Sequence, residues 1–275
     1  MTIRTMTVDD LQTVLGWAAA EGWNPGDADA RPFLAADPSG FLLKTIDDQP
    51  VAAISVVNHD EDFAFLGLYL CLPEFRGQGH GIDVWRAGLR HAGDRCIGLE
   101  GVPDQQANYA KSGFSRQGQT VRFEGTMEPT EAILANVAGA QLDEVIRADQ
   151  EASGFRRQSF ARVWFAGDLT RTTLGLWEDD MLVAFACYRQ CGTGLKIGPL
   201  HAQTKAQAEA LIAARPDGFH DGPVFIDVPD HVTALTELLV AHGFDPVFST
   251  ARMYSAPSPN ATPPRFYAIA TMELG

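Results

Sequence analysis

The sequence lacks the features that would make it a membrane, exported or metal-binding protein. It has no run of 18 apolar residues, which excludes a helical membrane span. Its opening stretch, MTIRTMTVDD, has no apolar core of the kind an export signal needs. Cysteine is scarce: Cys71, Cys96, Cys187 and Cys191 are scattered, without a CxxC pair and without histidines at ligand spacing. That pattern predicts reduced, structural thiols, a cytoplasmic setting and no metal site. A basic region is missing as well. The net charge is −14, and residues 1–127 and 128–275 each carry −7, so neither half offers a cationic face to a nucleic acid backbone. An acidic surface weakly attracts cationic small molecules, and it also simply maintains solubility. Two common phosphate motifs are absent too: there is no GxxxxGK[ST] and no GxGxxG.

What is present is an ordinary globular composition, 45% apolar and 20% charged over 275 residues, enough for one large domain or two of ordinary size. The first half alternates strand and helix signals. TIRTMT reads as a strand and VDDLQTVLGWAAAEG as a helix with acidic residues at its start. EGWNPG is a loop, DARPFLAAD a short helix, and residues 40–72 read as three antiparallel strands. A glycine-rich turn, PEFRGQGHG, leads into a helix ending at Gly93. RCIGLEGV, DQQANYAKSG and SRQGQTVRFEG then read as strand, helix and strand.

The second half repeats this order. GVPD (101–104) and DVPD (227–230) each precede a helix that ends in Gly-Phe, at Gly113-Phe114 and Gly243-Phe244. Eight residues beyond each phenylalanine stands an arginine, Arg122 or Arg252. The ordered set predicts two copies of one α/β unit, residues 1–127 and 128–275, with the junction at Gly125–Ala132. APSPNATPP is a linker to a last strand, RFYAIATMEL.

The glycine-rich turn is suited to anions. Glycines let backbone N–H groups converge, and a helix N-terminus adds positive potential. Arg76 would add a charged contact at the rim. The residues Arg76, Gly79 and Gly81 form Arg-x-x-Gly-x-Gly after a strand ending Cys71-Leu72-Pro73, and Tyr109–Phe114 reads Tyr-x-x-x-Gly-Phe. In both motifs, and in element order over residues 1–127, the sequence resembles the Gcn5-related N-acetyltransferases. The whole chain resembles the bacterial two-domain members, whose second copy is degenerate.

The resemblance implies an α/β (α+β) fold of two tandem acyltransferase-like domains, each with a mixed, mainly antiparallel sheet flanked by helices. It implies acetyl-CoA as cosubstrate and a primary amine, on a small molecule or peptide, as acceptor. Leu70 and Cys71 would meet the pantetheine arm where the sheet splays. Arg76, Gly77, Gln78, Gly79, His80 and Gly81 would cradle the pyrophosphate, and Tyr109 would protonate the leaving thiolate. The base is open. The usual strand glutamate is missing, so Glu100, which could instead bind the substrate ammonium, and a water relay are alternatives. Val102 stands where the family often has an asparagine. Trp23 and Asn24 of EGWNPGD either border the amine site or belong to a capping loop, with Asn-Pro-Gly as a turn and Asp27 as a helix N-cap. The second copy has no Arg-x-x-Gly-x-Gly and has Leu239 at the tyrosine position, so it is expected to wall the amine site without binding CoA. A non-catalytic acyl-CoA sensor is the competing reading. Oligomeric state is not encoded in any readable pattern.

Overall fold

A computed structural model describes residues 2–128, 132–219 and 222–275. The expected junction therefore lies partly outside the described residues. The first half runs β1 (Thr2–Thr5), α1 (Val8–Ala20), α2 (Ala30–Ala36), β2 (Phe41–Ile46), β3 (Gln49–Asn58), β4 (Phe63–Cys71), α3 (His80–Ala92), β5 (Cys96–Gly101), α4 (Gln106–Lys111) and β6 (Ser115–Gly125). The second half runs β7 (Ala135–Asn136), α5 (Gln141–Ser153), α6 (Gln158–Ala166), β8 (Arg171–Glu178), β9 (Met181–Gln190), β10 (Leu195–Ala202), α7 (Lys205–Ala213), β11 (Val224–Pro229), α8 (Thr233–Ala241), β12 (Asp245–Tyr254) and β13 (Phe266–Ala268). The local reasons are ordinary. In α1, Thr7 and Asp10 form a capping box, and Leu11, Val14, Leu15 and Ala18 bury one face at helical spacing.

The two halves share one sheet. Its order is β1-β2-β3-β4-β5-β12-β6-β11-β10-β9-β8-β7, with β13 added to β10. Among the described residues only β4–β5 and β10–β11 pair in parallel. The halves exchange strands at the centre. β12 of the second half pairs with β5 of the first, Ala251 opposite Gly101 and Arg252 opposite Glu100. β6 of the first half pairs with β11 of the second, Arg122 opposite Asp227. The two repeated arginines thus each cross to an acid of the other half. Arg122 makes a bidentate pair with Asp227 at 2.7 and 2.9 Å, and Arg252 reaches Glu100 at 2.6–2.7 Å. One apolar cluster also spans both halves, joining Phe33, Leu68 and Leu70 to Trp164, Phe185 and Leu274.

Each half carries the same irregularity. β4 and β5 pair only from Phe63–Cys96 to Leu66–Leu99, then diverge. At that point Leu68 and Tyr69 stand opposite the single residue Ile54, and Leu68 takes a φ of 44°. β10 and β11 likewise pair to Ile197–Ile226 and then part, with a register shift at Gly198–Pro199. In the second half that opening is filled. β13 lies antiparallel to β10, with Leu200 opposite Ala268 and Ala202 opposite Phe266. The expected last strand is therefore only Phe266–Ala268, and it pairs within its own half. The chain continues as Ile269–Gly275 across the first half, past Gly67. A Cβ at Gly67 would collide with the Glu273 carbonyl, as one at Gly198 would collide with the Ile269 carbonyl.

Candidate active site

The turn after β4 is open to solvent and uncapped. Gly77 and Gly79 take φ values of 76° and 87°, a region that only glycine enters without strain. Gly79 is the N-cap of α3 and has no side chain to satisfy the helix's first N–H groups, which therefore remain available for an anion. The cleft they face is lined by Leu70, Cys71, Arg76, Gly77, Gly79 and Gly81, together with Tyr69, Trp23 and Val102. Burial raises the pKa of the Cys71 thiol, which suits a packing group better than a nucleophile. Arg76 donates to the Cys71 carbonyl at 2.9 Å and pairs with Glu21 at 2.5 Å; both side chains are about half exposed. Gln78 and His80 point elsewhere. The Gln78 amide donates to the Glu74 carbonyl, and the His80 ring packs edge-on against Phe75.

The corresponding place in the second half is closed. Thr204 caps α7 by accepting from the Gln207 N–H, and the Gln207 side chain accepts from the N–H groups of Gln203 and Thr204. The N–H groups of Gln203, Thr204 and Gln207 are thus satisfied internally, and β13 fills the sheet opening beside β10.

The cleft of the first half continues through the splay into a second pocket. The two share Trp23, Tyr69, Val102 and Gln105. This inner pocket holds Tyr109 and Glu100. Tyr109 is buried on α4 with its ring stacked on Trp85, 5.6 Å between centroids. Burial, then the neighbouring Tyr69, push its phenol above the usual value, so it stays protonated throughout the neutral range. Glu100 is fully engaged. Its oxygens accept from Thr120 and Thr250, each at 2.6 Å, and from Arg252.

Of the two loop residues named from the sequence, only Trp23 lines the pocket. Asn24 turns to the second half, donating to the Thr193 carbonyl at 2.8 Å and accepting from the Thr193 N–H at 3.1 Å. The loop is fastened there throughout. The Trp23 carbonyl accepts from Arg122 at 2.9 Å and from Lys196 at 3.0 Å. Asp29, not Asp27, is the N-cap residue of α2, and its carboxylate is buried between Arg171 and Arg189 at 2.7 and 2.6 Å. Burial alone would raise the pKa of Asp29, but the two guanidiniums hold it below the usual carboxylate range. Lys196 is pushed down by burial and then by Arg122.

The second half also supplies walls that the sequence did not single out: Phe248 and Thr250 of β12, and Met272 and Glu273 of the closing segment. Among the described residues no cluster of three or more His, Cys, Asp or Glu side chains could hold a metal ion. Among the same residues no helix is long and apolar enough to cross a membrane.

Comparison with known proteins agrees with this arrangement. Residues 8–114 match the acetyltransferase (GNAT) family model, and residues 145–268 match a second acetyltransferase (GNAT) domain model. The chain is 32% identical, over its whole length and 94% of the relative's, to holothin acyltransferase of a Pseudoalteromonas species. Among solved structures, a putative acetyltransferase from Pyrococcus horikoshii superposes with a TM-score of 0.81 at 22% identity, covering 100% of this chain and 95% of the other. A tandem GNAT protein from the clavulanic acid biosynthesis pathway superposes at 0.59 with 14% identity, covering 94% and 99%.

Proposed function

The chain belongs to the Gcn5-related N-acetyltransferase family as a tandem member, and on that premise we propose that it transfers the acetyl group of acetyl-CoA to a primary amine in the cleft of its first half. The observation that carries this reading is the continuity of that cleft, from the uncapped start of α3, past the irregular strand at Leu68, to Tyr109.

The N–H groups of Gly77–Gly81 hold the pyrophosphate, His80 and Gln78 contributing through the main chain alone. Arg76 exchanges its contact with Glu21 for the phosphates. The pantetheine arm runs beside Leu70 and Cys71 into the splay. The thioester carbonyl lies at Leu68–Tyr69, where the strand departs from its ladder. The amine nitrogen attacks the carbonyl carbon from the inner pocket, the C–S bond breaks, and the sulfur takes its proton from Tyr109. Holding both reactants in one channel replaces a bimolecular encounter in water. Glu100 keeps β12 in place beside β5 and is not the base. The second half binds no CoA. It fastens the Trp23 loop and furnishes the far wall of the acceptor pocket.

The acceptor is a compact amine with a flat, apolar body, held between Trp23 and Phe248. Acetyl-CoA is a cytoplasmic donor, so the reading implies that compartment.

Tyr109→Phe tests the reading. The ring, and so its stacking on Trp85, is kept while the proton donor is lost. In a thiol-release assay with acetyl-CoA and an amine panel, kcat should fall by roughly 10²-fold or more, with acetyl-CoA affinity unchanged. Full turnover by the variant would remove the acid role. Acetyl-CoA binding by the unaltered protein, without thiol release for any amine, would favour a sensor.

A further inference from the structure

We propose that Glu273, on the segment that closes the chain, is the acceptor-side carboxylate of this enzyme: it binds the ammonium of the incoming amine and takes its proton. The inference rests on the N-acetyltransferase reading above and supplies the base which that reading leaves unassigned.

Glu273 lines the same inner pocket as Tyr109 and is 5% exposed. Its surroundings differ from those of the buried carboxylates nearby. Glu100 is saturated by Thr120, Thr250 and Arg252. Asp227 is taken by Arg122, and Asp29 by Arg171 and Arg189. Among the described residues Glu273 has no basic group within salt-bridge distance, and its side chain accepts a hydrogen bond only from the Thr271 hydroxyl. Its charge is felt at longer range by Arg122, Arg189 and Lys196. The first two of these have nearer carboxylates of their own, and Lys196 donates to the Trp23 carbonyl. A buried carboxylate in a cationic field, without a dedicated partner and facing a pocket, is one that a cationic ligand can complete.

The segment is held where the chemistry needs it. The Glu273 carbonyl lies against Gly67, the residue before the irregularity at Leu68, and only a glycine leaves room for it. His59 contacts the Leu274 carbonyl at 2.8 Å. The Gly275 N–H donates to the Thr271 carbonyl at 3.0 Å, and Arg157 donates to the Gly275 carbonyl. The carboxylate is thus carried on an anchored backbone beside the strand that presents the thioester.

The protons then balance. Glu273 takes one from the ammonium, which frees the lone pair for attack on the carbonyl carbon. Tyr109 gives one to the departing thiolate; the second nitrogen proton, shed as the amide forms, returns through solvent to the Tyr109 phenolate, and Glu273 releases its own to solvent, so one proton leaves per turnover. The site should prefer a cationic primary amine and reject acceptors carrying an anionic group beside the amine.

The test is Glu273→Gln, with Glu273→Asp as its partner, measured against an amine that the unaltered protein acetylates. Acetyl-CoA affinity by calorimetry should stay within about twofold in both, because the cradle is untouched. For Glu273→Gln, kcat/KM for the amine should fall at least 100-fold. Glu273→Asp, which keeps the charge and shortens the reach, should lie between the two. A Glu273→Gln value within threefold of the unaltered protein overturns the inference while leaving the acetyltransferase reading standing. So does an equal loss of acetyl-CoA binding and turnover in both variants, or failure of both to fold, since each would make Glu273 a residue of the fold. If the unaltered protein acetylates no amine, the underlying reading fails instead.

Discussion

Asp227→Asn isolates the lock between the halves. Asp227 and Arg122 have side chains 6% and 5% exposed and are joined by two hydrogen bonds across the β6–β11 pair. The amide keeps the shape of the carboxylate but sets an NH2 group against a guanidinium N–H and leaves the buried cation without its counterion. Removing one partner of such a pair costs about 3–5 kcal/mol, a large share of the ~5–15 kcal/mol that holds a folded domain together. For a chain of this size that is a fall in Tm of roughly 6–10 °C. Because the sheet runs through both halves, the loss should appear as one displaced transition in urea or calorimetric unfolding, not as the melting of one half. Arg122→Met with Asp227→Leu removes both charges and should recover most of the stability. It also deletes a donor to the Trp23 carbonyl, so turnover should stay low while Tm returns. The pair also fixes a pH dependence. Burial opposes ionisation of Asp227, but Arg122 outweighs it and its folded pKa is lowered. The stabilisation is therefore present above the unfolded value near 4 and is lost as pH falls towards the lower folded value. A cost for Asp227→Asn below about 1 kcal/mol, or two separate transitions in the unaltered protein, would refute the reasoning.

Three further outcomes follow. Gly79→Ala forces a side chain into a φ of 87°, which costs about 1–2 kcal/mol; calorimetry should show acetyl-CoA and CoA binding weakened at least tenfold, and unchanged affinity would mean that the turn is not the pyrophosphate site. Thr204→Ala removes the α7 cap, which should lower stability by about 1 kcal/mol in urea titration while leaving one acetyl-CoA bound per chain; a second bound molecule would contradict the closed second half. His59 and His201 are buried with pKa values pushed down to about 4, chiefly by desolvation. Their neutral forms are favoured in the fold, so each withdraws on the order of 3 kcal/mol as pH drops from about 6.5 through 4. Tm of His201→Phe should be correspondingly less sensitive over that interval, and an unchanged slope would refute the assignment.

Much of the first half was legible because its signals are local. Arg76, Gly79 and Gly81 mark a turn that leaves the start of α3 uncapped. The order of helices and strands follows from periodicity, and the repeat shows in Gly-Phe and in Arg122 and Arg252. What those arginines bind was not legible. A strand such as Asp245–Tyr254 has the same alternation whether it returns to its own half or crosses to β5. The extra residue at Leu68 leaves no mark in an apolar run. Asn24 looked like an acceptor contact because a polar loop residue near a pocket and one that fastens a loop share the same composition; only the position of Thr193, 169 residues on, separates them. Glu100 stood out as a nearby carboxylate, but its three partners come from β6 and β12. That Glu273 lines the inner pocket was not legible, because its placement depends on the path of the segment after β13.

The exchanged strands also bear on how the protein is made. β5 is complete by residue 101, but its neighbour on the side away from β4 is residues 251–254, and the last wall of the inner pocket is residues 272–273. At a synthesis rate of about 5–20 residues per second, the first half waits many seconds on the ribosome with an unpaired central edge. The glycine-rich turn before α3 can form early, whereas the inner pocket cannot close until residues 272–273 have emerged. A product truncated before residue 245 would keep the conspicuous motifs and lack the walls that Phe248, Thr250, Met272 and Glu273 give the inner pocket.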